Sequence, residues 1–109
     1  MPKGLVRYAL ILLAVGALPA PGVRADASAQ KTYQAKCAGC HGADGKGQTG
    51  AGKALGAHDF SAPEIQKMSD AELAQIITNG KGKMPPYGRS LSAAEIKDLV
   101  SYIRGFAKK

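Results

Sequence analysis

The stretch KCAGCHG, residues 36–42, holds both cysteines of the chain and one of its two histidines. Cys37, Cys40 and His41 are spaced at i, i+3 and i+4, so a helical turn would direct all three side chains to one side. The two residues between the cysteines are small, and Gly42 lets the backbone turn away afterwards. A group bound by these thiols and this imidazole would lie directly against the main chain, and the rest of the fold has to surround it.

The C-x-x-C-H string is the attachment signature of a c-type haem. Two thiols at this spacing can add to the two vinyl groups along one edge of the porphyrin, and the adjacent imidazole can reach the iron. We therefore predict one covalently attached haem c, bound through Cys37 and Cys40, with His41 as an axial ligand of the iron.

Two haem-free interpretations use the same residues. A redox dithiol of the thioredoxin type needs a βαβ context, which the sequence does not contain. A zinc site would take Cys37, Cys40, His41 and His58, but adjacent Cys40 and His41 do not easily occupy two corners of one tetrahedron. Both interpretations remain alternatives that a test for covalently bound pigment would decide.

The second axial position of the iron has three candidates, namely Met68, Met84 and His58. Met68 stands before a helix start, where it forms an apolar pair with Leu73, and this pattern predicts a position in the core. His58 lies in a glycine-rich stretch, which predicts a histidine on a surface loop. Met84 remains as the favoured ligand.

Met84 lies in a loop that presents its side chain. It follows Gly80 and Gly82 and precedes two prolines, at 85 and 86, which hold the backbone extended. We predict that Met84 binds the iron opposite His41. A thioether favours Fe(II) and raises the reduction potential, and His/Met ligation closes the iron to substrates. These properties indicate an electron carrier that is not an enzyme.

The first 25 residues have the layout of a secretory signal peptide. Two basic residues precede the apolar run Ala9–Leu18, and small residues allow cleavage after Ala25 or Ala27. The apolar run is shorter than the roughly 20 residues of a membrane span, which favours export over a retained anchor. We predict a signal peptide, residues 1–25, and one domain, residues 26–109, that is periplasmic or exported.

Composition limits both the partners and the core. The formal net charge of +7 lies partly in the predicted signal peptide, and what remains is too small to indicate nucleic-acid binding. The chain has no tryptophan and few other aromatic residues. A domain this small supplies only a thin apolar core. We therefore expect the porphyrin to fill the interior.

Three stretches repeat the order apolar, Ser, two residues, Glu, apolar, which indicates a capping box at a helix start. Their serines are Ser61, Ser69 and Ser92. They predict a short turn, 62–67, and two helices, 70–78 and 93–107. A first helix is predicted over 28–38, and a long glycine-rich loop over 41–60. Because no segment has the pattern of a strand, the predicted class is all-α.

With these features the chain resembles a small monohaem class I cytochrome c of the bacterial secreted type. The resemblance rests on CAGCH at 37–41, the glycine-rich loop, GKMPPY at 82–87 and the terminal helix with LVSYI at 99–103. It implies a cytochrome c fold, in which three main helices and a short helical turn are wrapped around one haem. It also implies that Ala29 and Tyr33 of the first helix meet Leu99 and Tyr102 of the last.

The resemblance further implies a backbone partner for the axial histidine. In this family the second ring N–H of that histidine usually donates to a carbonyl in the following loop, often that of a proline. This chain has no proline between Gly42 and Ala62. Another carbonyl between Ala43 and Phe60 is therefore expected to serve.

The function implied by the resemblance is electron transfer between redox proteins, by a monomer with no small-molecule substrate at the iron. Lysines near the motifs are expected to surround the haem edge and to steer docking onto an acidic partner. They are Lys36, Lys46, Lys53, Lys81 and Lys83. Two alternatives remain: a haem-bearing subunit of a larger oxidoreductase complex, and a sensor or peroxidase-like catalyst with an open sixth site.

Overall fold

The computed structural model describes residues 21–108 and contains six α-helices and no strand within that range. The helices are α1 Pro21–Lys36, α2 Ala38–His41, α3 Gly50–Leu55, α4 Pro63–Gln66, α5 Asp70–Asn79 and α6 Ala93–Arg104, followed by a 3₁₀ turn, Gly105–Lys108. The all-α class predicted from the sequence is confirmed. Most of the predicted signal peptide lies outside the described residues. Between residues 21 and 108, no helix is both long and apolar enough to cross a membrane.

Two of the three predicted capping boxes are present. The Ser69 hydroxyl accepts from the Glu72 amide at 3.0 Å, and the Glu72 carboxylate accepts from the Ser69 amide at 2.9 Å. The same pair of bonds, at 3.1 and 2.8 Å, joins Ser92 and Glu95. These bonds satisfy amides that have no partner inside the helix. As a result α5 and α6 begin at the predicted residues.

The third capping box, predicted at Ser61, is wrong. The Ser61 amide and hydroxyl both donate to one carboxylate oxygen of Asp59, at 2.9 and 2.7 Å. Helix α4 starts one residue later, with Ala62 as an N-cap that has no side-chain bond. The Asp59 carboxylate, two residues away, competes with the helix amides for hydrogen bonding to Ser61. In this structure Ser61 bonds to the carboxylate and does not cap the helix.

The region predicted as a continuous loop contains helix α3. Its start is set by Thr49, whose hydroxyl accepts from the Gly52 amide at 2.8 Å. Its end is set by Gly56, which has a left-handed φ of 74°. The helix was missed because its sequence, GAGKAL, has too little apolar periodicity to reveal a helix.

Helix α1 also departs from the predicted bounds of 28–38. It begins earlier, at Pro21, and ends at Lys36. The amides of Cys40 and His41 both donate to the Cys37 carbonyl, at 3.3 and 3.0 Å. The bond from Cys40 spans only three residues, so the regular hydrogen bonding of α1 ends here and α2 begins. Cys37 therefore lies at the junction of α1 and α2.

Helices α1 and α6 pack against each other as the family resemblance implies. Tyr33 and Leu99 are each only 1% exposed, and Ala29 is buried as well. The rings of Tyr33 and Tyr102 lie 5.0 Å apart. The Tyr33 hydroxyl donates to the Gly42 carbonyl at 2.6 Å, which ties α1 to the residue that follows α2.

Arg104, at the end of α6, holds the turn between α4 and α5. Its guanidinium donates to the Met68 carbonyl at 2.6 Å, the Gln66 carbonyl at 3.0 Å and the Asp70 carboxylate at 2.8 Å. The Gln66 amide group in turn donates to the Phe60 carbonyl at 2.6 Å. Hydrogen bonds therefore attach the turn between α4 and α5 to the end of α6.

Candidate functional site

A cavity of about 410 Å³ lies in the middle of the packed helices. Cys37, Cys40, His41 and Met84 all line it, although Met84 comes from the loop after α5. Much of the wall is apolar, and among residues 21–108 no carboxylate contributes to the lining. Buried side chains of this wall include Phe60, Ile65, Leu73, Ile77, Leu99 and Ile103. Two thiols, an imidazole and a thioether thus line one apolar cavity.

The two cysteines are free thiols in this structure. Burial raises the pKa of the Cys37 thiol to about 11, so this sulfur is neutral at ordinary pH. A neutral sulfur against an apolar wall matches the environment that a thioether to a porphyrin requires. The donor set and the cavity therefore fit a covalently attached haem.

Thr49 holds the cysteine segment, defined as residues 37–41, from outside the cavity. Its hydroxyl donates to the carbonyls of Gly39 and Cys40, at 2.9 and 2.8 Å, as one shared bond. A Cβ atom at Gly52 would overlap the Cys40 carbonyl oxygen, so α3 packs directly on the backbone of α2. Nothing in the sequence marks Thr49 as a site residue, because a threonine before a glycine-rich stretch carries no distinctive signal.

The His41 imidazole is oriented on two sides. Its Nδ1 lies 3.2 Å from the His58 carbonyl, and its ring stacks on Phe60 with centroids 4.2 Å apart. With the proton on Nδ1 donated to that carbonyl, Nε2 is free to bind a metal. Burial lowers the pKa of His41, which favours the neutral ring that a metal needs. The backbone partner that the sequence analysis left open is thus His58.

The two other candidates for the second axial position also line the cavity. His58 lies on the His41 side, because its own carbonyl contacts that imidazole. Met68 and Met84 both pack against the buried core, and the Met68 carbonyl accepts from Arg104. Both methionines thus share the cavity wall and the contact with the core.

Met84 is held in a tight turn within the methionine loop, defined as residues 80–88. The Lys81 amide donates to the Met84 carbonyl at 3.1 Å, and the Met84 amide donates to the Lys81 carbonyl at 3.0 Å. Gly80 has a φ of 76°, and a Cβ atom there would come within 2.7 Å of the Met84 carbonyl oxygen. Only glycine fits at this position without strain.

The haem-free interpretations find no support in the described part of the chain, which includes both cysteines and both histidines. Among residues 21–108, no group of three or more His, Cys, Asp or Glu side chains could hold a metal ion by itself. The same residues contain no strand. The geometry of a zinc site and the βαβ context of a dithiol enzyme are therefore both missing there.

Positive charge surrounds part of the cavity. Three of the five lysines named from the sequence, Lys36, Lys81 and Lys83, line it, while Lys46 and Lys53 do not. Leu55 also lines the cavity and is 46% exposed. Basic and apolar groups thus occur together at its edge.

Comparison with known proteins gives three findings. The family profile described as cytochrome c oxidase, cbb3-type, subunit III matches residues 24–103. Cytochrome c6 of Rippkaea orientalis is 36% identical over 100 residues, which cover 91% of this chain and 86% of that protein. The solved structure of the KustC0563 c-type cytochrome has a TM-score of 0.67 at 39% identity and covers 72% of this chain and 95% of its own.

A further relative differs in length. The cbb3-type cytochrome c oxidase subunit CcoP of Azospirillum brasilense is 37% identical over 73 residues. The match covers 65% of this chain but only 25% of that subunit. The likeness is therefore to one part of a longer protein, whereas the cytochrome c6 match extends over most of both chains.

Proposed function

This chain belongs to the cytochrome c family and is a small single-haem electron carrier with covalently bound haem c, and we propose that Cys37 and Cys40 form the thioethers to that haem. We further propose that His41 and Met84 bind the iron from opposite sides. One observation carries the assignment: all four side chains line a single apolar cavity. The contact between His41 Nδ1 and the His58 carbonyl supports the role of His41, and the tight turn that holds Met84 supports Met84 over Met68.

The haem supplies a reversible one-electron couple at its iron. The chain controls that couple through its own side chains. The Nδ1–H of His41 is held by a carbonyl, which raises the basicity of the ligating nitrogen. The buried apolar wall keeps water away and lowers the local dielectric, which disfavours the additional charge of the oxidised state. With Met84 as the second ligand, no position on the iron would remain open to a substrate.

The absorption spectrum of the oxidised protein tests the two axial ligands. Met84→Ala removes the absorption that marks methionine ligation, whereas Met68→Ala retains it as the matched control. Pigment that stays attached after denaturation, with the mass of one haem added, tests the thioethers. High-spin iron in the native protein, with fast turnover of peroxide, would contradict the carrier and favour a catalyst.

We also propose that the redox partner presents an acidic surface and that this protein acts as a monomer. Lys36, Lys81 and Lys83 line the cavity, no carboxylate of the described residues does, and Leu55 is exposed beside it. Complementary charge raises the rate of encounter and orients the two proteins, and an exposed apolar side chain allows close contact. Lys46 and Lys53 are left out of this docking surface.

A second candidate function is that of a haem-bearing subunit in a larger oxidoreductase complex. The matching family profile is that of an oxidase subunit, which favours this candidate. The extent of the cytochrome c6 match supports the free carrier instead. Purification from the native source separates the two, since a subunit co-purifies with its catalytic partner and a carrier does not.

We propose, in addition, that residues 1–25 direct export to the periplasm and are then removed. The support is the basic, apolar and small-residue order of this segment. N-terminal sequencing of the mature protein tests the proposal. A chain that still begins at Met1 would indicate a retained anchor.

A further inference from the structure

We infer that Tyr87 is a positioning residue for Met84, an inference that rests on the proposed ligation of the iron by Met84. The Tyr87 hydroxyl donates to the Lys36 carbonyl at 3.1 Å, across 51 positions of sequence. Lys36 is the last residue of α1 and stands directly before Cys37. The bond therefore connects the methionine loop to the segment that carries the cysteines.

The Lys36 carbonyl is available because helical hydrogen bonding is interrupted there. The Cys40 amide, which would meet Lys36 in a continuous helix, donates to the Cys37 carbonyl instead. A carbonyl at the end of a helix needs a partner from outside that helix. The Tyr87 hydroxyl is such a partner, so the bond satisfies a group that the break between α1 and α2 creates.

Two backbone amides at this end of the methionine loop donate to α5. The Tyr87 amide donates to the Ile77 carbonyl at 2.9 Å, and the Gly88 amide donates to the Thr78 carbonyl at 3.0 Å. Of the hydrogen bonds between described residues, the one from the Tyr87 hydroxyl alone joins this loop to α1 or α2. The loop is thus anchored on α5 and fastened across the cavity at one point.

Tyr87 is close enough in sequence to control Met84. Only Pro85 and Pro86 separate the two residues, and their fixed φ angles make the connection stiff. The Tyr87 side chain also lines the cavity and packs against the core. A hydroxyl bond at residue 87 therefore limits how far the loop can lift the Met84 thioether away from its position opposite His41.

Tyr87→Phe tests this inference, because it keeps the ring and removes only the hydroxyl. One net hydrogen bond corresponds to a shift of about 3- to 10-fold in a local opening equilibrium. The oxidised, haem-loaded protein is titrated with imidazole while the absorption that marks methionine ligation is followed. We expect imidazole to bind about 3- to 10-fold more tightly to Tyr87→Phe than to the unchanged protein, because the loop opens more often.

Tyr33→Phe is the matched control, since it also removes a tyrosine hydroxyl that donates to a backbone carbonyl, here that of Gly42. This bond lies on the His41 side, so the variant should lose thermal stability while its imidazole affinity changes little. Unchanged affinity in Tyr87→Phe, or an equal increase in Tyr33→Phe, would overturn the role of Tyr87.

The outcomes also separate this inference from the ligation on which it rests. If the unchanged protein lacks the methionine absorption, ligation by Met84 is wrong and the role of Tyr87 is wrong with it. If the absorption is present and Met84→Ala abolishes it, ligation stands. Equal imidazole affinity of Tyr87→Phe and the unchanged protein then refutes the role of Tyr87 alone.

Discussion

The ring of Phe60 stacks on the imidazole of His41, with centroids 4.2 Å apart and an angle of 22° between the planes. The same short segment supplies the His58 carbonyl that faces His41 Nδ1. This segment is fixed in its turn, since the Phe60 amide donates to the Gly45 carbonyl at 2.8 Å. The orientation of the imidazole is therefore set by residues 58–60.

Phe60→Leu removes the stacked ring and keeps an apolar side chain. Loss of the ring contact should cost about 0.5–1.5 kcal/mol beyond the lost burial, which chemical denaturation of the haem-loaded protein measures. It should also let the imidazole plane rotate, which alters the paramagnetically shifted NMR signals of the oxidised protein. Phe106→Leu is the control, because the Phe106 ring lies 5.9 Å from Phe60 on a different element. An equal change of those signals in both variants would contradict the role of Phe60.

Gly52→Ala should destabilise the protein, because the added methyl group would overlap the Cys40 carbonyl and come within 2.6 Å of the Gly47 carbonyl. Backbone atoms cannot move aside cheaply, so we expect a loss of about 1–3 kcal/mol in the free energy of unfolding. Gly50→Ala is the matched change in the same helix, where a Cβ atom meets nothing within 4 Å. It should be neutral or stabilising by up to about 1 kcal/mol. Similar denaturation midpoints for the two variants would refute the close packing of α3 on α2.

Replacing Lys81 and Lys83 with glutamine should slow association with an acidic redox protein at low ionic strength. Both lysines line the cavity, and their charge adds to the electrostatic attraction of the partner. Stopped-flow reduction across a salt series should show a rate at least about 3-fold lower and a weaker salt dependence. The control replaces Lys46 and Lys53, which carry the same charge but do not line the cavity. The docking surface is wrong if the control pair slows association as much as the test pair.

Cys37→Ala combined with Cys40→Ala should leave the exported chain without its haem and largely unfolded. An empty volume of about 410 Å³ would then remain in the core. The apolar wall would then face water instead of porphyrin, so much of the hydrophobic burial that offsets the entropy cost of folding would be lost. Circular dichroism on heating should show no cooperative transition, and a sharp transition would show that the chain folds without the porphyrin.

Features that depend on neighbouring residues could be predicted from the sequence. The capping boxes at Ser69 and Ser92 form because their partners are three residues away, within reach of any chain that enters a helix there. The C-x-x-C-H spacing likewise defines a haem attachment segment without reference to the rest of the fold. Assignment of Met84 as a ligand followed from glycines and prolines beside it, and this assignment remains a prediction that the spectra of the variants test.

Local rules failed where two local interactions compete or where no periodic pattern exists. Ser61 had the sequence of a helix cap, but the carboxylate of Asp59 took its hydrogen bonds. Helix α3 lacks an apolar stripe, because it packs through the backbone of Gly52 against α2 and buries no large side chain there. A pattern search depends on side chains and does not detect a contact of this kind.

By itself, the sequence determined the cofactor, the helical class and the starts of α5 and α6, since each depends on groups within a few positions of one another. Tertiary structure alone decided that the His58 carbonyl holds the imidazole of His41, and that the hydroxyl of Tyr87 reaches Lys36. These contacts join segments 17 and 51 positions apart. Such pairs form only after packing of the helices has brought the segments together, and no local preference of either residue specifies the partner.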